Sequence, residues 1–336
     1  MAERDGRHDF DFELGRWKMH LRRRLHPLTG SDNWLAFGAD SVTRKVWGGR
    51  AQLEEFEADS PPHTEALTLR LYDPQSRQWR LYWATSKDGA LGQPMIGEFR
   101  NGEGEFFDQE LYQGKAIYVR YVWTNIPPDR AHFEQSFSAD GGKTWEANWI
   151  TDDVRVKDVS AGTSTSRVPA RGVSPAAEGA AQRAGAGEDG QHDFDFEFGT
   201  WKAHLRRLLH PLSGSHEWVE YEGTSTVRKI WNGHANLGEL EVGNASTHIE
   251  GLSLRLFNPQ SHQWNVYWSS SSDGVLGAPM VGGFNYGRGE FYDQELFNGK
   301  AVFVRFVFSD ITPDSFHFEQ SFSADGGKTW EPNWTA

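Results

Sequence analysis

The sequence predicts an all-β protein made of two tandem copies of one domain. Three observations carry this. The stretch His132–Glu146, HFEQSFSADGGKTWE, returns letter for letter at His317–Glu331, which marks a duplication. Each copy breaks into short runs that alternate apolar and polar residues, the period-two pattern of half-buried strands. Turn signals separate these runs at regular intervals, and no run shows the apolar spacing of an amphipathic helix. Such spacing suggests a barrel or a sandwich.

The repeat can be traced outwards from the identical stretch. His192-Asp193-Phe194-Asp195-Phe196-Glu197 matches His8–Glu13, Trp17 maps on Trp201, Arg44 on Arg228, Trp79 on Trp264 and Arg120 on Arg305. One residue of slippage before Leu67 and Leu252 brings well over half of the positions into agreement. The copies are therefore 8–150 and 192–336, a period far longer than that of solenoid repeats, so each can close its own core. Residues 151–191 between them are rich in Ala, Gly, Ser and Pro and poor in large apolar side chains. They cannot bury enough surface to offset their ordering entropy, so a flexible linker is expected. The two domains would then orient independently unless a contact within the chain, or with a second copy in a homodimer, fixes them.

The elements of the first copy follow in order. Trp17, Met19 and Leu21 alternate with Lys18, His20 and Arg22 in a first strand. The loop Pro27–Asp32 leads to a strand near Trp34, and further strands follow at Val42–Trp47 and Ala51–Glu57. Leu67, Leu69 and Leu71 alternate with Thr68, Arg70 and Tyr72, and after the turn DPQSRQ, Trp79, Leu81 and Trp83 alternate with Arg80, Tyr82 and Ala84. Met95–Phe99 is a strand, Phe106–Leu111 and Ala116–Trp123 form a hairpin, and Ala131–Ser138 pairs with Trp145–Ile150 across ADGGK. The second copy turns its hairpin at Asn298-Gly299, the strongest two-residue hairpin signal, where the first has Gln113-Gly114. About ten short strands per copy result.

Composition excludes several function classes. With 47 acidic against 34 basic residues the net charge is -13, which argues against nucleic acid as a partner. No run of about 18 apolar residues offers a membrane helix, and MAERDGRHDF has no apolar segment of a secretory leader, so a cytoplasmic protein is expected. Cysteine is absent, which removes disulfides, thiol catalysis and cysteine metal sites. No H-E-x-x-H, phosphate loop or dinucleotide fingerprint occurs, so neither a metal nor a cofactor is expected.

Two motifs resemble known ones. Ser138-Ala139-Asp140-Gly141-Gly142-Lys143-Thr144-Trp145 resembles the Asp box S-x-D-x-G-x-T-W of sialidases. Its role is structural: the carboxylate accepts turn amides, and glycine supplies a positive φ. Phe12-x-x-Gly15-x-Trp17 resembles the opening Gly-x-Trp of lipocalins and other calycins. The pattern FDFxxGxW followed by about ten strands is similar to a calycin-like bacterial domain family of unknown function, related in architecture to lipocalins, fatty-acid-binding proteins and nitrobindin. The resemblance covers both copies. It implies two up-and-down antiparallel barrels, each with a central cavity for a small apolar molecule, and it brings no catalytic residues.

The expected function is therefore binding of a small hydrophobic or aromatic molecule in each barrel. Across the hairpins, Leu296 pairs with Ala301, Gln294 with Phe303 and Tyr292 with Arg305, and the less acidic face of this hairpin is expected inward. Gln109, Tyr118, Arg120 and Gln135 would then be the polar groups of the first cavity, with Trp79 and Trp83 as its wall. Gln294, Arg305, Gln320, Trp264 and Trp268 would serve the second, where Phe303 replaces the tyrosine. The alternative places Arg120 outside, paired across strands with Glu134. A second function class is an enzyme of the same fold, a cyclase, isomerase or hydratase, using His20, His204, Glu55 or Glu239 as acid or base. The glutamates are candidates because they share a face with Leu53 and Leu237. Haem on His132 or His317, as in nitrobindin-like barrels, is a weaker reading, and a scaffold with two filled cores is the third class.

Overall fold

The computed structural model describes residues 5–59, 62–156 and 189–336. Most of the expected linker, 157–188, lies outside the described residues. The first copy contains β1 (Gly15–Arg24), β2 (Trp34–Val46), β3 (Ala51–Ala58), β4 (Thr64–Asp73), β5 (Gln78–Thr85), β6 (Met95–Arg100), β7 (Glu103–Tyr112), β8 (Lys115–Thr124), β9 (Arg130–Ser138) and β10 (Glu146–Arg155). The second contains β11 (Gly199–Leu208), β12 (Trp218–Ile230), β13 (Ala235–Gly243), β14 (His248–Asn258), β15 (Gln263–Ser270), β16 (Met280–Asn285), β17 (Arg288–Phe297), β18 (Lys300–Ser309), β19 (His317–Ser323) and β20 (Glu331–Thr335). Each set closes into an antiparallel barrel with neighbours in chain order. β1 meets β10 from Trp17↔Arg155 to Arg23↔Trp149, and β11 meets β20 at Arg206↔Thr335 and Arg207↔Trp334. Among the described residues no helix is long and apolar enough to cross a membrane.

The turns form where the sequence places them. Gln113 and Gly114 have φ of 50° and 77°, and Asn298 and Gly299 have 52° and 76°, so both central residues occupy the left-handed region that a tight hairpin needs. The pairings Leu296↔Ala301, Gln294↔Phe303 and Tyr292↔Arg305 are those expected. The Asp-box turn is also as expected: Asp140 accepts the Lys143 and Thr144 amides at 3.0 Å each and the Thr144 hydroxyl at 2.7 Å. These hydrogen bonds, the Thr144 amide first, hold the exposed Asp140 carboxyl down to about 2.

One end of each barrel is plugged by the residues before its first strand. Phe10 sits edge-on against Trp79 and Trp123, with ring centroids 5.2 and 5.3 Å apart, and Phe194 repeats this against Trp264 and Phe308 at 5.1 and 5.3 Å. A 3-10 turn at Asp11–Glu13 carries Glu13 into the interior, and Trp17 donates its indole N–H to the Glu13 carbonyl at 2.7 Å. Asp195–Glu197 repeats the turn.

The barrels share one face. Leu53, Leu67, Leu69 and Leu71 point out of the first barrel and pack with Leu237, Leu252, Leu254 and Leu256 of the second, and all eight are fully buried. This explains why β4 and β14 are buried on both sides. The loops cross reciprocally. Gly89 lies so close to the Phe257 carbonyl that a Cβ would meet it at 2.0 Å, and Gly274 meets the Tyr72 carbonyl in the same way at 2.0 Å. The Leu91 amide donates to the Tyr267 hydroxyl at 3.0 Å and the Leu276 amide to the Tyr82 hydroxyl at 3.4 Å. Arg50 pairs with Glu250. An interface within the chain thus sets the relative orientation of the barrels.

Candidate ligand cavities

β5 and β6 pair only from Trp79↔Gly97 to Leu81↔Met95, so the wall of the first barrel parts beyond that point. Its interior holds a cavity of about 330 Å³ with an aromatic wall that includes Phe56, Trp83, Tyr121, Phe133 and Trp149. A side pocket of about 320 Å³ adjoins it through Leu81, Trp83, Glu110 and Tyr121, under the loop that follows β5. The second barrel has a cavity of about 270 Å³ walled by Trp268, Phe306, Phe308, Phe316, Phe318 and Trp334.

Each aromatic cavity has an ionic floor, and the two floors differ. In the second barrel Arg255 lies over Glu197, with Nη1 2.8 Å from one carboxylate oxygen and Nη2 donating to the other at 3.1 Å. Asn236 accepts from Nη1 at 3.0 Å. Burial raises the Glu197 carboxyl and Arg255 opposes the rise. In the first barrel the matching arginine, Arg70, turns to Glu54 instead, at 2.5 Å. Glu13, the match of Glu197, takes a hydrogen bond from the Trp123 indole at 2.9 Å. Asp153 joins them from β10, its Oδ2 accepting from Thr151 at 3.1 Å. Arg70, Glu54, Glu13 and Asp153 are all buried, at 2, 5, 5 and 4% exposure. Burial pushes the Glu13 carboxyl up to about 7, Arg70 pulling it down and Glu54 adding to the rise. Burial and then the Glu13 charge push Asp153 up to about 8. Nearer the opening, burial raises Asp108, Glu110 and the Tyr121 phenol; the Gln109 amide opposes the rise of Asp108, Asp108 adds to that of Glu110, and both carboxyls add to that of Tyr121.

Several of the expected site residues face elsewhere. The hairpin register is as expected but its facing is inverted. Asp108, Glu110, Tyr121 and Trp123 belong to the interior, while Gln109, Tyr118 and Arg120 are on the outside. Arg120 lies 3.8 Å from Glu105 and 4.7 Å over the Trp145 ring. Gln294 and Arg305 are outside too, Arg305 being 3.6 Å from Glu319 and over Trp330. The reason is the Asp-box turn, which lays Trp145 and Trp330 against the outer face and gives its apolar residues partners there. Gln135 and Gln320 do line the cavities, donating to Asn148 at 2.6 Å and Asn333 at 2.8 Å. Trp83 and Trp268 are cavity wall, whereas Trp79 and Trp264 are sealed in the plug and bound to the Gly6 and Gly190 carbonyls.

The acid–base candidates fall outside the cavities or at their margins. His20 is exposed on the outer face. The exposed His204 pairs with Glu222 at 2.5 Å, although it touches the rim of the second cavity. Glu55 lies at the barrel interface with Arg44 and Arg228, and Glu239 faces Arg228 there. The face shared with Leu53 is the interface, so the inward acid of β3 is the adjacent Glu54. His132 is held by Asp152 at 2.8 Å, and His317 is likewise next to the inward Phe318, so both point away from the cavities. Glu13, Glu54, Arg70 and Asp153 were not among the expected site residues. A buried-charge signal was present only in the alternation Leu69-Arg70-Leu71, with a charge set among leucines.

No family model matches the chain, and no curated protein matches it in sequence. Among solved structures it is similar to an S-type phycobiliprotein lyase from Guillardia theta, at 14% identity over 44% of this chain and 90% of that one, with a TM-score of 0.31. It is also similar to a protein of unknown function of the DUF3598 family from Nostoc punctiforme, at 10% identity over 99% and 98% of the two chains, with a TM-score of 0.24. Neither likeness bears on what the cavities hold.

Proposed function

We propose that the protein is a tandem pair of calycin-like modules, each binding a small, largely aromatic or apolar molecule inside its barrel. The observation that supports this is the pairing of an aromatic wall with a few convergent buried polar groups around a cavity of about 330 Å³ in one barrel and 270 Å³ in the other. The up-and-down strand order and Trp17 on the first strand, at the plugged end, are consistent with the calycin resemblance. A filled scaffold would have side chains in that space. The enzymatic reading keeps one supporting observation: Glu13 and Asp153, raised to about 7 and 8, are poised for proton transfer near neutral pH.

The test uses the uncharged fluorophore N-phenyl-1-naphthylamine, titrated into the full chain. Two saturable sites are expected, with energy transfer from Trp83 and Trp268. Met19→Trp and Ala203→Trp each place a ring in one cavity and should each remove one site. The folding cost should be about 1–3 kcal/mol of overpacking. Binding that survives in both filled variants would sink the reading.

A further inference from the structure

The first cavity carries an imbalance of buried charge. Among the described residues that line it, Glu13, Glu54 and Asp153 meet one guanidinium, Arg70, with Arg155 acting on Glu13 from behind the wall. In the floor of the second cavity one buried carboxyl, Glu197, faces one buried guanidinium, Arg255, and Gly238 stands where the first barrel has Glu54; the exposed Lys202, His204 and Asp314 also line this cavity. The excess acid is not consumed internally. Asp153 Oδ1 is buried in the cavity wall with no hydrogen-bond partner among the described residues. Arg70 Nε and Nη1 are also unpartnered. A buried charged or polar group without a partner is costly, and a ligand that supplies the partner recovers that cost on binding.

We propose that the first barrel, on the reading that its cavity binds a ligand, selects a protonated amine carried on an apolar, ring-sized body. The ammonium takes the place of the missing cation beside Glu13 and Asp153. Its three N–H donors suit Asp153 Oδ1 and the second oxygen of Glu13. An oxygen on the ligand, if present, finds the free N–H groups of Arg70. The apolar body lies against Phe56, Trp83, Phe133 and Trp149, where ring faces also favour a cation. At about 30 Å³ per water the cavity has room for roughly ten water-sized units, enough for one or two rings.

The ionisation of the floor gives the proposal a pH signature. Glu13 enters from the 3-10 turn, Glu54 from β3, Arg70 from β4, Asp108 and Glu110 from β7, Tyr121 from β8 and Asp153 from β10, with Arg155 behind Trp17. Glu13 and Asp153 lose protons as the pH rises, so the floor becomes more negative between about pH 6 and 9. Amine affinity should rise over that range, and binding near pH 7 should release protons.

The experiment is calorimetry on the full chain with three matched probes: 4-phenylbutylamine, 4-phenylbutanol and 4-phenylbutyrate. At pH 8.5 the amine should bind about tenfold or more tighter than the alcohol, a difference of about 1.4 kcal/mol. At pH 6 the preference should shrink, with the alcohol unchanged. Asp153→Asn, and separately Glu54→Gly, which installs the residue of the second barrel, should bring the ratio of amine to alcohol affinity at pH 8.5 close to one, whatever each does to the alcohol alone. Equal binding of amine and alcohol at both pH values overturns the amine proposal and leaves the cavity reading intact. Tightest binding of the carboxylate overturns it in favour of Arg70. If none of the three binds, the proposal falls, and the cavity reading falls with it only if the naphthylamine probe also fails.

Discussion

The two barrels repeat each other in backbone, plug and shared face, and they part company in the floor of the cavity. At the shared face the duplication is symmetric, leucine for leucine, with Tyr82 and Tyr267 exchanging hydrogen bonds with each other's loops. Around the cavity, Glu54 and Trp123 of the floor and Tyr121 nearer the opening are Gly238, Phe308 and Phe306 in the second barrel. These three positions change together in chemical sense. Without Glu54, the arginine is free to meet the glutamate of the 3-10 turn, which then no longer needs the indole N–H. The comparison teaches that the fold constrains the interface and the plug, while the cavity is open to divergence. Two cavities with different polar linings stand on one scaffold.

The largest effect should come from breaking the closed pair. Arg255→Met leaves Glu197 buried at 4% exposure with no cation, and loss of one partner of a buried pair costs about 3–5 kcal/mol. Urea unfolding should show this as a lowered midpoint. The added Gly238→Glu should not rescue it, because that places a second acid in the same floor. A loss below about 1 kcal/mol would mean that Glu197 accepts a proton at little cost, and the contrast between a closed and an open floor would fail.

Next in size is the dependence of stability on pH. Carboxyls in the unfolded chain titrate near pH 4, whereas Glu13 and Asp153 in the folded barrel titrate at about 7 and 8. Between these limits the folded state holds protons that the unfolded chain has released, so stability falls as the pH rises from about 5 to 8 and levels off above. The effect should be on the order of a few kcal/mol. Asp140 and Asp325, held down to about 2, act in the opposite sense but only below pH 4, outside this window. Unfolding midpoints at pH 5.5 and 8.5 should therefore favour the acid side, and Asp153→Asn should flatten the difference. A midpoint that rises with pH would contradict the protonated floor of the first barrel.

Much of the fold was legible in the sequence, and the site was legible only in part. Strand number, the hairpin turns and the pairing of β17 with β18 follow from local chemistry, the period of two and the positive φ demanded at Asn298-Gly299. Facing does not follow, because a strand with apolar residues on both sides has two plausible inner faces. Rules of thumb place the acidic face outside. Here Asp108 and Glu110 face in near the opening, where Tyr121 shares the space, and Phe107 and Leu111 face out beside the Asp-box turn. The same ambiguity misled the choice between Glu54 and Glu55. Leu53 marks a buried face, but what buries it is the other barrel, and nothing local in the sequence announces a partner surface. By contrast Gln135 was legible because Phe133 and Phe137 flank it on one side of β9 with polar residues on the other, and Trp83 because it continues the row of Trp79 and Leu81 on β5.

The smallest effect probes the symmetry of the shared face itself. Tyr82→Phe removes the acceptor of the Leu276 amide, and Tyr267→Phe that of the Leu91 amide, each leaving a backbone N–H short of a partner at the interface. Each should cost about 1 kcal/mol. The two bonds are not equal: the Leu91 bond is 3.0 Å and the Leu276 bond 3.4 Å, so Tyr267→Phe should cost more. Both hydroxyls are raised by burial, Leu276 and Leu91 lowering them in turn, so each remains a neutral phenol across the working pH range and the difference between the variants should not change with pH. Thermal unfolding of the two variants at pH 6 and 8.5 separates this from the cavity effect, which does depend on pH. Equal losses would mean that the interface is more symmetric than these distances. A pH-dependent difference would mean that the cavity floor and the shared face are coupled through β4, on which Arg70 points inward and Leu69 and Leu71 point to the other barrel.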